Sequence, residues 1–220
     1  MKRILIPIAA GALFLASCTD APKADKAEAC DAQTVAAATG ATYKADLAQS
    51  SVSWTGTKPT GQHTGAFKLS EGSVNAEAGN ITGGKFVIDL KSITITDKDT
   101  NGASKLAGHL LSPDFFHADS IATASFEITG VKAGVDTAGG KEILMKDATH
   151  TVSGNLTLKG VTKGITFPAR VAMTDASITT DANFNIDRSQ WNMAYGSDKG
   201  LGDKFIRPDV NIVLHVVANK

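Results

Sequence analysis

Cysteine is nearly absent: Cys18 and Cys30 are the only two among 220 residues. Neither a disulfide framework nor a multi-cysteine zinc site can be built from that pair. Proline is scarce, with six, and aromatic residues make up only 6%. An excess of one charge is lacking too, since 22 Lys and Arg face 22 Asp and Glu. With no basic surplus to hold a polyanion, a nucleic-acid partner is not expected. The longest uncharged apolar run, residues 4–16, is too short to cross a bilayer core of about 30 Å at about 1.5 Å per helical residue. The familiar signatures of catalysis are missing as well. None of the five histidines, His63, His109, His117, His150 and His215, stands in an H-E-x-x-H or another metal-ligand spacing. No G-x-S-x-G elbow and no Gly-rich phosphate loop occurs. The expectation is a protein that is not an enzyme and takes no metal or cofactor.

What is present falls into three segments. Lys2 and Arg3 precede the apolar run, which ends Leu15-Ala16-Ser17-Cys18. A charged start, a short apolar stretch and small residues before a cysteine resemble a bacterial lipoprotein signal. Residues 1–17 are therefore expected to be removed and Cys18 to be lipidated, placing the protein at the cell envelope on the periplasmic or outer-membrane face. Removal of Lys2 and Arg3 leaves a net charge of −2. Residues 18–42 contain nine alanines and no aromatic residue. Such a segment buries too little apolar surface to offset its chain entropy, so it reads as a flexible tether, with a short helix near 32–38 as an option. Cys30 is left without an intrachain partner, and a homodimer through it or through an extended edge stays open.

From Tyr43 to Lys220 the pattern has a period of two, the mark of half-buried strands. Eight apolar runs are found, centred on Trp54, Phe67, Ile88, Phe126, Leu156, Phe167, Phe184 and Ile212. Breaks rich in Gly, Asp and Asn separate them: Glu71-Gly72, Ala78-Gly79-Asn80, Ala138-Gly139-Gly140, Lys159-Gly160 and Thr174-Asp175. Eight antiparallel strands in hairpin order form a sheet that usually curls or closes. An all-β barrel is the expected fold, and a sandwich of two sheets is its alternative. One stretch departs from the alternation. Residues 104–111, SKLAGHLL, set Leu106, Leu110 and Leu111 on one helical side ahead of Pro113. This predicts one short helical segment near 104–116, able to close a barrel end or merely to plug it.

Several pieces in order resemble the YceI-like family of lipid- or polyisoprenoid-binding proteins. They are His63, Gly65 and Phe67; Gly84 to Ile93; His109 to Phe116; Ala124-Ser125-Phe126; Gly154 to Thr162; and Ile186-Asp187-Arg188 with Trp191 and Tyr195-Gly196. The resemblance implies a lipocalin-like barrel over the domain 43–220. It also implies binding or transport of a long-chain amphiphile, a polyisoprenoid, quinone or fatty-acid-like lipid, in the interior. The ligand contacts expected are Trp54, His63, Phe67, Phe86, Ile88, Phe126, Leu156, Phe167, Phe184, Arg188 and Trp191. Gly56, Gly65, Ala124, Gly154, Ala169 and Ala182 share the inward parity, and small residues there would leave room for an alkyl chain. The alternative is a solid core serving as an interaction scaffold. His63 and Arg188 also fall on the inward side. Either binds a polar head or forms a buried hydrogen-bonded pair, with Asp89, Asp187 or Asp203 as partners for Arg188; the pair is the preferred reading for Arg188.

Overall fold

The computed structural model describes residues 20–136 and 142–220. The expected leader, lipidated Cys18 and the Gly139-Gly140 turn lie outside those residues. Among the described residues there are ten strands and one α-helix: β1 (Asp25–Lys26), β2 (Ala41–Ala45), β3 (Ser51–Lys58), β4 (Gly61–Glu77), β5 (Asn80–Ile95), α1 (Ala103–Leu111), β6 (Thr123–Ala133), β7 (His150–Leu158), β8 (Val161–Met173), β9 (Ser177–Asp187) and β10 (Asp209–Asn219). Strands β3 to β10 pair antiparallel with their sequence neighbours, and β10 pairs with β3 to close an eight-stranded barrel. Strand β2 prolongs the first stave beyond the corner at 46–50, pairing with β4 and with the end of β10. Among the described residues, closure leaves no long unpaired edge.

The hairpins follow from turn chemistry. Ala78 and Gly79 have φ of 50° and 79°, and Lys159 and Gly160 have 49° and 75°. Two-residue loops with both φ positive match the right-handed twist of the flanking strands. The Glu71-Gly72 break is not a turn. Strand β4 runs through it, and a register shift between Leu69 and Glu71 marks a bulge. The bulge moves the apolar phase from odd to even positions, so Phe67 and Leu69 before it and Val74 and Ala76 after it are all buried inward. A second shift, between Ile128 and Gly130, does the same for Val131 in β6.

The expected tether is not loose over residues 20–42, and no helix forms at 32–38. Strands β8 and β9 pair only from Ala169↔Ala182 outward and splay beyond that point. The gap is occupied by the N-terminal segment. Asp25 and Lys26 pair parallel with Phe184 and Asn185, and Cys30 exchanges both backbone hydrogen bonds with Gly164. Ala27 is buried in the core and Ala29 packs against it, while Lys26 and Glu28 face outward. The Asp25 carboxylate accepts the backbone N–H groups of Leu144 and Met145 at 2.9–3.1 Å. The segment then crosses the outer surface, where Asn155 is bonded to both backbone groups of Gln33, and reaches β2. Glycine is required at the crossing: a Cβ on Gly164 would lie 2.8 Å from Cys30 Sγ and from the Asp31 carbonyl.

The two barrel ends differ. The loop after β3, the 96–122 segment with α1, the Lys159-Gly160 turn and residues 188–208 gather at one end, called here the helix end. The far end is filled by a separate cluster of Tyr43, Val74, Ala76, Ile178 and Ala218, all buried.

Candidate functional site

The barrel is hollow. A cavity of about 340 Å³ runs along its interior from α1 and residues 193–206 to Val131, Val171 and Val216 near the far end. A solid core does not describe this interior. Of the eleven residues expected to meet a ligand, ten line the cavity: Trp54, His63, Phe67, Phe86, Ile88, Phe126, Leu156, Phe167, Phe184 and Arg188. Trp191 does not. It sits in the 3₁₀ helix Arg188–Trp191, has no exposed surface, and its Nε1–H donates to the Leu156 carbonyl at 3.0 Å. A fully covered indole that has spent its one donor on the backbone is an anchor for the chain leaving β9, not a ligand contact.

Aromatic rings set the shape of the cavity. Phe167 and Phe184 stack with centroids 4.1 Å apart, and Phe126 tilts against Phe167 at 5.7 Å. Phe67 meets Phe116 edge-on at 5.4 Å, joining β4 to the segment after α1. Of the inward glycines, Gly56 leaves room, since a Cβ there would meet only the Trp54 ring at 3.9 Å, but Gly65 and Gly154 do not supply the free volume expected of them. A Cβ on Gly65 would lie 2.5 Å from the Trp54 ring, one on Gly154 2.3 Å from Phe126, and one on Gly72 2.5 Å from Phe86. Each glycine lets a ring from the adjacent strand lie close against its backbone. The space at the axis is what those flattened rings leave.

Polar groups reach the cavity at the helix end, where Lys58, His63 and Arg188 line it. Arg188 is 3% exposed. Its guanidinium donates to the carbonyls of Met193, Tyr195, Ile206 and Arg207 and stands 5.5 Å from the Phe115 ring centroid. The expected carboxylate partner is not found, as Asp89, Asp187 and Asp203 form no ion pair with it. Burial lowers its pKa from the ordinary arginine value, with Asp187 pulling weakly the other way. The charge is held by carbonyl dipoles that the 188–207 loop wraps around it. Asp187 caps the 3₁₀ helix through Ser189 instead.

His63 Nδ1 lies 2.7 Å from Asp97 Oδ2, and Asp97 Oδ1 accepts the Thr64 N–H at 2.6 Å. Burial works against the Asp97 charge, but the His63 and Thr64 hydrogen bonds outweigh it and hold the carboxyl below the usual range. A matching clamp on the outer wall has Asp181 between His215 and Arg170, each at 2.7 Å, with the same balance and the same downward direction. Sequence reasoning missed Asp97, 34 residues from His63 with no motif between them. It also missed Met193 and Ile206, cavity-lining residues in stretches without any periodicity. Among the described residues no group of three or more His, Cys, Asp or Glu is placed to hold a metal ion.

Comparison with known proteins gives one consistent picture. The YceI-like domain profile matches residues 43–218. The chain is 34% identical over 107 residues to a UPF0312 protein of Azotobacter vinelandii, covering 48% of this chain and 47% of that protein. Over the same length it is also 34% identical to a UPF0312 protein of Pseudomonas aeruginosa, covering 49% and 48%. The chain thus spans about half the length of the curated relatives it matches. Among solved structures, Burkholderia cenocepacia BcnA superposes with a TM-score of 0.61 at 27% identity, over 80% of this chain and 99% of that one. A polyisoprenoid binding domain from Saccharophagus degradans, implicated in plant cell wall breakdown, superposes at 0.58 with 17% identity, over 80% and 97%, and shares the fold.

Proposed function

The chain belongs to the YceI-like domain family, and from that premise we propose that it binds or carries a long-chain amphiphile inside its barrel at the bacterial cell envelope. The observation that carries this reading is the continuous cavity, apolar over nearly all of its wall. Each methylene withdrawn from water there contributes about 0.8 kcal/mol. A chain of about ten would gain about 8 kcal/mol, the scale of a micromolar complex before the cost of association. The polar head is assigned to the helix end, beside Lys58 and His63, and the tail to the axis between Phe126, Phe167 and Phe184. A polyisoprenoid, a quinone or a fatty-acid-like lipid all fit that chemistry, and no bond is made or broken. The polyisoprenoid binding domain of Saccharophagus degradans supports the first of the three by analogy of fold.

The test is native mass spectrometry of the full chain purified without detergent, followed by organic extraction. The expected result is an adduct of constant mass that extracts as a long-chain lipid and is lost from Ile212→Arg, a variant that sets a charge in the cavity wall. A clean unliganded mass, unchanged after incubation with polyprenyl phosphates, quinones and fatty acids, overturns the reading.

A further inference from the structure

We propose that the helix end of the barrel is the face that meets a lipid bilayer, with Leu201 and Tyr195 entering its interfacial layer. The inference deepens the reading above and rests on Cys18 as the lipid anchor. Its first support is where the chain enters the barrel. Asp20 is ion-paired with Arg207 at 2.9 Å, and the Pro22 carbonyl accepts from Asn185. Arg207 belongs to the loop at the helix end, and its N–H donates to Thr57 at the close of β3. Two peptide units separate Asp20 from Cys18, a reach of at most about 7 Å. Strand β9 has 11 residues, so at about 3.4 Å each and the usual tilt the far end stands about 25 Å away. An acyl chain on Cys18 holds the helix end against the membrane and cannot bring the far end to it.

The surface at that end suits the position. Tyr195 is 48% exposed and Leu201 44% exposed, and both lie on the loop that also wraps Arg188. Residues 198–204 around Leu201 are all exposed, with Asp198 and Asp203 balancing Lys199 and Lys204. Attachment there is by apolar insertion and not by attraction to anionic lipid, so salt leaves it unchanged. Amphipathic surfaces of this kind settle about 5–10 Å into the headgroup boundary.

The cavity opens most readily on the same side. No residue of α1 is buried, and its N-terminus at Gly102 has no side-chain cap, yet Leu106 and Leu110 form part of the cavity wall. Moving α1 exposes the cavity without disturbing a ladder of strands, whereas the far end is closed by its own buried cluster. The bilayer therefore lies where the entrance is.

The experiment places a tryptophan at each end of the full chain, as Leu201→Trp and Leu47→Trp. The two leucines are equally exposed, and Leu47 sits in the corner held by Asp46 to Val217 near the far end. Each variant is bound to vesicles of phosphatidylethanolamine and phosphatidylglycerol brominated in their acyl chains, and emission is compared with the parent chain. The expected result is a several-fold larger loss of emission from Leu201→Trp, unaltered by salt. Equal loss, a larger loss from Leu47→Trp, or no association with the vesicles overturns the proposal. The acyl mass on Cys18 and the extracted ligand are read from the same sample. Retained lipid with an unquenched Trp at 201 rejects the face alone; an empty barrel with a quenched one rejects ligand binding alone.

Discussion

Gly154 carries no side chain so that Phe126 can lie flat against its backbone. A methyl group there would begin 2.3 Å from the ring, and the ring could yield only toward the cavity. Gly154→Ala is accordingly expected to cost about 1–3 kcal/mol in urea unfolding, and to reduce the lipid retained per chain in an extraction assay. Arg188 poses the opposite case, a side chain whose removal leaves other groups stranded. Arg188→Met strips four carbonyls of their donor, and a loss of about 3 kcal/mol or more is expected from the same unfolding measurement. The inward parity of both positions was legible in the sequence. Their partners were not, because a carbonyl has no sequence signature and a ring over a glycine depends on register between strands.

At the level of elements, the alternation located all eight barrel strands, since each buries one face and leaves the other wet, and the spacing of Leu106, Leu110 and Leu111 ahead of Pro113 located the helix. It failed at Glu71-Gly72, where a bulge shifts the phase and imitates a turn. It failed again at residues 25–30, where composition argued for a tether. The signal there was faint but physical: Asp25, Ala27 and Ala29 alternate with Lys26, Glu28 and Cys30, and the small members face inward. As a stave the segment should protect what it touches. Ala27→Glu, which sets a charge toward the core, is expected to speed hydrogen exchange at the Gly164 amide, whose acceptor is the Cys30 carbonyl. Amides in the β3–β10 ladder should exchange as before. Equal protection at Gly164 in the variant would mean that the segment merely lies on the surface.

At the scale of the whole molecule two carboxylate clamps join distant parts of the chain, Asp97 near the cavity and Asp181 on the wall joining β8, β9 and β10. Both carboxyls sit below their ordinary range in the folded state. Their stabilising contribution is therefore complete above the unfolded value near pH 4 and is lost as pH falls through the still lower folded value. Unfolding free energy measured against pH should fall steeply only in acid, and the slope should flatten in Asp97→Asn and Asp181→Asn. The closed fold also sets an order in time. Pro22 is bonded to Asn185, 163 positions later, and Cys30 to Gly164, 134 positions later. At about 5–20 residues made per second, roughly 8–30 s pass before such partners exist. A strand that must wait that long is safest when it pairs poorly with anything else, and alanine, aspartate and lysine have low strand propensity. The bland composition of residues 20–30 is thus what a late-arriving stave requires, and their docking should be among the slowest steps of folding.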